Sequence, residues 1–250
     1  MTRPHSQLAF LDLVPDSGAP CGTIVALHGD QGDSEDLVPF ARAIGPTARI
    51  VAPMAARGVY HGVTLMSRTW FGGSLTRPEP ASFGDSLAQL ERFLVDVDDR
   101  RQSDKEDLPV LLGYDQGAVL ALSAAKLFPD LVAGVIAIAG ALPAFRDWGH
   151  DSAPALGLPI LIVSDDASTR EAGPCLRATA NDLEEAGALV SVVAMAAARE
   201  LGAELRHIVS DWYAGYVEAT HTSTDVEPPA LVRSAAALRR LQGRTGTANR

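Results

Sequence analysis

The chain has 250 residues, a formal net charge of −10 and 47% apolar residues. That is long enough for one α/β domain with a substantial core, and the acidic balance argues against nucleic acid or an anionic membrane as partner. Cys21 and Cys175 fall in no metal-ligand spacing, and no stretch predicts a metal or another cofactor.

Residues 7–14 alternate weakly and predict an edge strand; residues 15–20 predict a turn. Residues 23–27 are a short apolar run and predict a buried strand, ending in His28-Gly29-Asp30-Gln31-Gly32-Asp33. Ser34 is placed to cap a following helix that turns Leu37 and Phe40 inward. Residues 48–52 form the next expected strand, stopped by Pro53.

Residues 54–80 show no period and hold Tyr60, His61, Trp70 and Phe71 among several glycines and prolines. A loop this long inside one domain is expected to be an active-site loop. Residues 82–97 predict an amphipathic helix with Phe83, Leu87, Leu90 and Leu94 on one side. Residues 98–107 are a charged link.

The stretch that decides the chemistry follows. Residues 109–112 are apolar, then come Gly113-Tyr114-Asp115-Gln116-Gly117, then an alanine-rich run. Strand, tight Gly-x-Asp-x-Gly turn and helix together make the context of a nucleophile elbow. The glycines are needed because side chains there would strike the crossing strand or helix. The usual occupant of the central position is serine; here it is Asp115.

Residues 132–139 predict another buried strand and residues 145–156 a polar loop with Trp148 and His150. Residues 159–163 predict a strand ending at Ser164-Asp165-Asp166. A helix over 171–186, a strand over 189–195, a loop over 196–202 and a helix over 204–217 complete the pattern. Residues 1–218 are read as one domain. Residues 219–250 are read as a C-terminal extension with a helix near 230–242 and a flexible tail. The longest apolar run, 131–142, is shorter than the roughly 20 residues a bilayer demands, and no signal-peptide pattern opens the chain. A cytoplasmic protein is the expectation.

Apolar strands alternating with helices predict a mostly parallel sheet covered on both faces, with ligands at the carboxyl ends of the strands. Several segments together carry a resemblance. They are Leu27-His28-Gly29 with Gly32-Asp33-Ser34-Glu35-Asp36-Leu37, Val51-Ala52-Pro53, Trp70-Phe71, the elbow, and Phe128-Pro129 with the strand that follows up to Pro143. Over most of residues 8–217 the chain resembles the α/β-hydrolase fold. More narrowly, it resembles the small carboxylesterase/phospholipase, acyl-protein thioesterase-like group. The fold this implies is a three-layer sandwich with a mostly parallel central sheet.

The resemblance implies a serine–histidine–aspartate triad. Asp115 stands at the serine position. Asp166, or its neighbour Asp165, stands at the acid position. The histidine position, before the last helix, reads Leu201-Gly202-Ala203-Glu204-Leu205 and holds Ala203. Nucleophile and base are thus both replaced. The backbone donors of an oxyanion hole, Asp30 N–H and Gln116 N–H, survive any side-chain change.

Asp115 then has three readings: a general base, a carboxylate nucleophile, or an inert relic. A nucleophile needs a base to free the ester, and His207, one helical turn beyond Ala203, is the candidate. His28 is set beside the oxyanion loop, where its ring can bond backbone; with Trp70, Phe71, Tyr114 and Trp148 it forms the expected substrate-binding wall. Arg68, Arg77 and Arg146 lie on the overhanging loops, where a guanidinium can meet a carboxylate.

The function expected is proton transfer next to a carbonyl on a specialised-metabolite or peptide intermediate: an epimerase, isomerase or cyclase of a biosynthetic pathway. A bottromycin-type peptide epimerase, a triad-less member of this fold, is similar in that respect. The alternatives are a pseudo-hydrolase that binds a small molecule or peptide, and a hydrolase using Asp115 with a relocated histidine. The sequence sets no oligomeric state.

Overall fold

The computed structural model describes residues 6–16, 20–99, 108–145, 154–165, 173–195 and 198–221. Nine strands are described: β1 Phe10–Leu13, β2 Thr23–Leu27, β3 Arg49–Pro53, β4 Arg57–His61, β5 Thr64–Thr69, β6 Val110–Tyr114, β7 Gly134–Ile138, β8 Pro159–Asp165 and β9 Leu189–Met195. The α-helices are α1 Val38–Ile44, α2 Pro80–Asp99, α3 Gln116–Leu127, α4 Gly173–Glu185 and α5 Ala203–His221.

Seven strands make one sheet in the order β1-β3-β2-β6-β7-β8-β9. Six run parallel; β1 alone is antiparallel, paired with β3 from Phe10↔Pro53 to Leu13↔Ile50. The reason is in the strands' composition. β2 and β7 are buried at every residue, as strands covered on both faces must be.

Alternate residues feed two cores. Val25, Leu27, Val51, Leu111, Val135, Ala137, Ile160 and Ile162 face α2, α3 and α4. Ile24, Ala26, Ile50, Val110, Leu112, Ile136, Ile138 and Val163 face α1 and α5. The period of two along each strand separates the layers. This is the three-layer α/β arrangement expected from the sequence.

Two elements depart from expectation. Residues 54–80 are not a featureless loop: β4 and β5 form a separate antiparallel hairpin, with a register irregularity between Val59 and Tyr60. Its strands are intermediate to exposed, so no burial alternation marks them in the sequence. The first helix starts at Val38 with Leu37 at its N-cap and no side-chain cap; Ser34 lies before it and is buried. The expected helix near 230–242 lies outside the described residues, as do Asp166, Trp148, Arg146 and His150.

Candidate functional site

Register places the site. Leu27 pairs with Gly113 and Tyr114 with Ile138, so the loop after β2, the turn after β6 and the end of β7 meet at the carboxyl ends of the central strands. The turn is tight for the reason the glycines suggest. A Cβ at Gly117 would sit 2.0 Å from the Leu27 carbonyl oxygen, and one at Gly113 would sit 2.4 Å from the Gly117 carbonyl oxygen. Both obstacles are backbone and cannot swing aside.

Asp115 occupies the tip with φ 53 and ψ −114, ahead of the first turn of α3. That is a strained conformation for a residue with a Cβ, and Asp tolerates positive φ better than most. Its amide donates to Ile138 O at 2.9 Å, and its carbonyl oxygen accepts from Val119 N–H at 3.2 Å. The elbow is fully formed around a carboxylate.

That carboxylate has two donors. Asp30 N–H donates to Asp115 Oδ2 at 3.1 Å. Arg199 Nη1 donates to Asp115 Oδ1 at 3.0 Å, an ion pair in which the Asp115 side chain is 14% exposed and Arg199 46%. One donor of the expected oxyanion hole is therefore held by the protein's own side chain. Arg199 comes from the short 3₁₀ turn Ala198–Glu200 that follows β9, and Tyr114 Oη donates to its carbonyl oxygen at 3.1 Å.

Sequence reasoning missed Arg199. The available signal was its place: the loop after the last strand is where the resemblance puts the triad's histidine, and Arg199 is the cation in it. Ala203, which the resemblance sets at the histidine position, begins α5 and is exposed.

Behind the tip, Gln116 is buried and serves as a clamp. Its Oε1 accepts from Thr69 Oγ1 at 2.9 Å, Trp70 N–H at 2.9 Å and Phe71 N–H at 3.4 Å, and its Nε2 donates to Phe71 O at 2.9 Å. Thr69 Oγ1 also lies 2.8 Å from Asp30 Oδ1. The end of the hairpin, the elbow and the oxyanion loop are thereby one network. Sequence reading assigned Gln116 a backbone role; its side chain carries this structural one.

Trp70 and Phe71 were expected to line a pocket, and here the structure corrects the sequence reading. Each is 1% exposed, and they pack into the core beneath the loop, Phe71 edge-on to Phe83. Their apolar area is used up by the fold. His28 is also 1% exposed. Its Nδ1 lies 2.8 Å from Gly29 O and its Nε2 accepts from Ala55 N–H at 3.1 Å, which fixes the Nδ1–H tautomer. Burial holds the ring's pKa below its usual value of 6.5, against the opposing pull of the Gly29 hydrogen bond and of Asp36 and Asp33. With both nitrogens engaged by backbone, His28 is part of the scaffold.

His207 is 80% exposed on α5 and pairs with Asp211, its Nε2 3.3 Å from Asp211 Oδ2. No hydrogen bond joins it to Asp115 among the described residues, so the helical turn that separates it from Ala203 carries it away from the elbow. Tyr114, half-buried, does lie at the site. Among the described residues no cluster of three or more histidine, cysteine, aspartate or glutamate side chains could hold a metal ion. No described helix is long and apolar enough to cross a membrane.

The fold thus described is shared with solved hydrolases. A carboxylesterase of Bacillus cereus superposes with a TM-score of 0.71 at 19% identity, covering 84% of this chain and 95% of that one. A carboxylesterase of Mesorhizobium loti superposes at 0.67 with 26% identity, over 78% of this chain and 89% of that one. A phospholipase/carboxylesterase of Dyadobacter fermentans gives 0.65 at 17% identity, over 84% and 97%. The chain has the α/β-hydrolase fold. No protein-family model and no curated protein sequence matches it.

Proposed function

We propose that this chain is an α/β-hydrolase-fold enzyme that moves a proton next to a carbonyl, with Asp115 as the base. The observation that carries the reading is the Asp115 carboxylate at the elbow tip, held between Asp30 N–H and the Arg199 guanidinium. A serine esterase attacks with a hydroxyl that a histidine activates. At this elbow the side chain is a carboxylate and its charged neighbour is an arginine.

The chemistry follows from those two groups. A substrate carbonyl entering the site takes N–H donors from Arg199 or Asp30 as the pair opens. Asp115 removes the proton from the adjacent carbon, and the electron pair moves onto the carbonyl oxygen, where Arg199 faces the developing charge. Protonation of the opposite face by water, with Asp115 giving its proton back to solvent, completes an epimerisation; return of the proton by Asp115 to a neighbouring carbon completes an isomerisation. The substrate class is a peptide or specialised-metabolite intermediate with an acidic C–H beside a carbonyl.

A second reading is favoured by the same contacts: both carboxylate oxygens already have partners, as suits a pseudo-hydrolase that only binds. One experiment separates the readings. Candidate carbonyl compounds are incubated with the protein in deuterated water and followed by mass spectrometry. Deuterium uptake without a hydrolysis product is expected. It should fall by about 10²–10⁴-fold in Asp115→Asn, the range a positioned general base contributes. Uptake unchanged in Asp115→Asn overturns Asp115 as the base. Saturable binding with no uptake selects the pseudo-hydrolase, and a hydrolysis product selects a hydrolase with a relocated base.

A further inference from the structure

A cavity shares no lining residue with the elbow. Its volume is about 360 Å³, and it is bounded by the chain ahead of β1, the segment after β3, the β5 residue Arg68 and the α2 residues Gln89 and Arg92. Its wall includes Ser6, Met54 and Ala55 and contains two guanidinium groups and no carboxylate. In a chain of net charge −10, that local composition runs against the average.

The two arginines are short of partners. Arg68 Nη1 donates to Ala56 O at 3.2 Å, and its Nε is buried without an acceptor. Arg92 is exposed and makes no ion pair among the described residues. The carboxylates nearby are committed elsewhere. Asp96, one turn after Arg92, receives the Ser6 N–H; Asp85 pairs with Arg57 at 2.9 Å. Arginine forks suit oxygen pairs on planar or tetrahedral anions.

We infer that the Arg68–Arg92 cavity binds an anionic oxygen group of a small molecule, a carboxylate or a phosphate. Gln89 supplies a neutral donor beside the two charges. Arg68 keeps its bond to Ala56 O and lines the cavity with its positive charge. The site uses none of the elbow's residues, so it stands whether or not Asp115 is a base.

Calorimetric titration in chloride-free buffer tests this on the full chain, with inorganic phosphate in one arm and succinate in the other. Saturable binding of at least one probe is expected, weakened about tenfold or more in Arg68→Gln and in Arg92→Gln, since a charge-assisted bond is lost in each. The stronger arm identifies the anion's geometry. Arg92 is exposed, so its variant keeps the test valid should Arg68→Gln fold poorly. Binding unchanged in Arg199→Gln places the anion here. No saturable binding of either probe overturns the site, and so does binding that is lost in Arg199→Gln and kept in the Arg68 and Arg92 variants.

Discussion

Single residues set the chemistry and the pH response. Asp115 and Arg199 form an ion pair at the tip of the turn after β6. His28 has the opposite character: a buried neutral ring whose unprotonated Nε2 accepts the Ala55 amide. Its folded pKa lies below 6.5, so as pH falls through that value the unfolded chain takes a proton that the folded chain refuses. More protons on the unfolded state means stability falls with falling pH. The stability is full above 6.5 and declines below it until the folded ring titrates. Urea unfolding from pH 7.5 to 5 should show this, with a slope of up to about 1.4 kcal/mol per pH unit from this group. A His28→Gln variant should lose that share of the slope, and an unchanged slope would show that the acid sensitivity arises elsewhere. The sequence already made Asp115 legible, because glycines two residues either side of it announce a tight turn. Arg199 was not legible, because nothing in Ala198-Arg199-Glu200 specifies that a 3₁₀ turn will aim that side chain at the elbow.

At the scale of elements, the parallel strands were readable because burial on both faces demands unbroken apolar runs. The β4–β5 hairpin was not, because a strand pair exposed on both sides needs no apolar alternation; Tyr60, Val63 and Met66 are among its exposed residues. The hairpin is joined to the sheet at its far end, where Gln116 holds Thr69, Trp70 and Phe71. Replacing Gln116 by leucine removes the acceptor of two buried amides and leaves Phe71 O short of a donor. It should cost about 2–4 kcal/mol, several times the cost of an ordinary surface change. Denaturant midpoints at constant slope check this. A loss below about 1 kcal/mol would mean that water replaces the amide. Hydrogen exchange should also show the Trp70 and Phe71 amides losing protection first.

At the scale of the whole molecule, the two cores differ in the described helices that cover them. Among the described residues, α2, α3 and α4 cover one face and α1 and α5 the other. There Trp212 and Tyr213 are each 5% exposed, and burial pushes the Tyr213 hydroxyl pKa well above its usual value of 10. Trp212→Ala should therefore destabilise the chain by about 3–5 kcal/mol in equilibrium unfolding, the range for a buried large aromatic. A smaller loss would mean that α5 repacks over the gap. The α5 N-terminus also follows directly on the turn that carries Arg199, so a loosened α5 would free that turn as well.

The half-exposure of Arg199 has a consequence for speed. Exposed side chains exchange rotamers in picoseconds to nanoseconds, far faster than a domain or a long loop can rearrange. Opening the Asp115–Arg199 pair is a motion of that kind, made by one side chain already half in water. Capture of a ligand at the elbow then has no slow preceding step. Its observed rate rises in proportion to ligand concentration without a plateau on the millisecond scale, and added salt, by screening the pair, shifts the open fraction without changing that linear form.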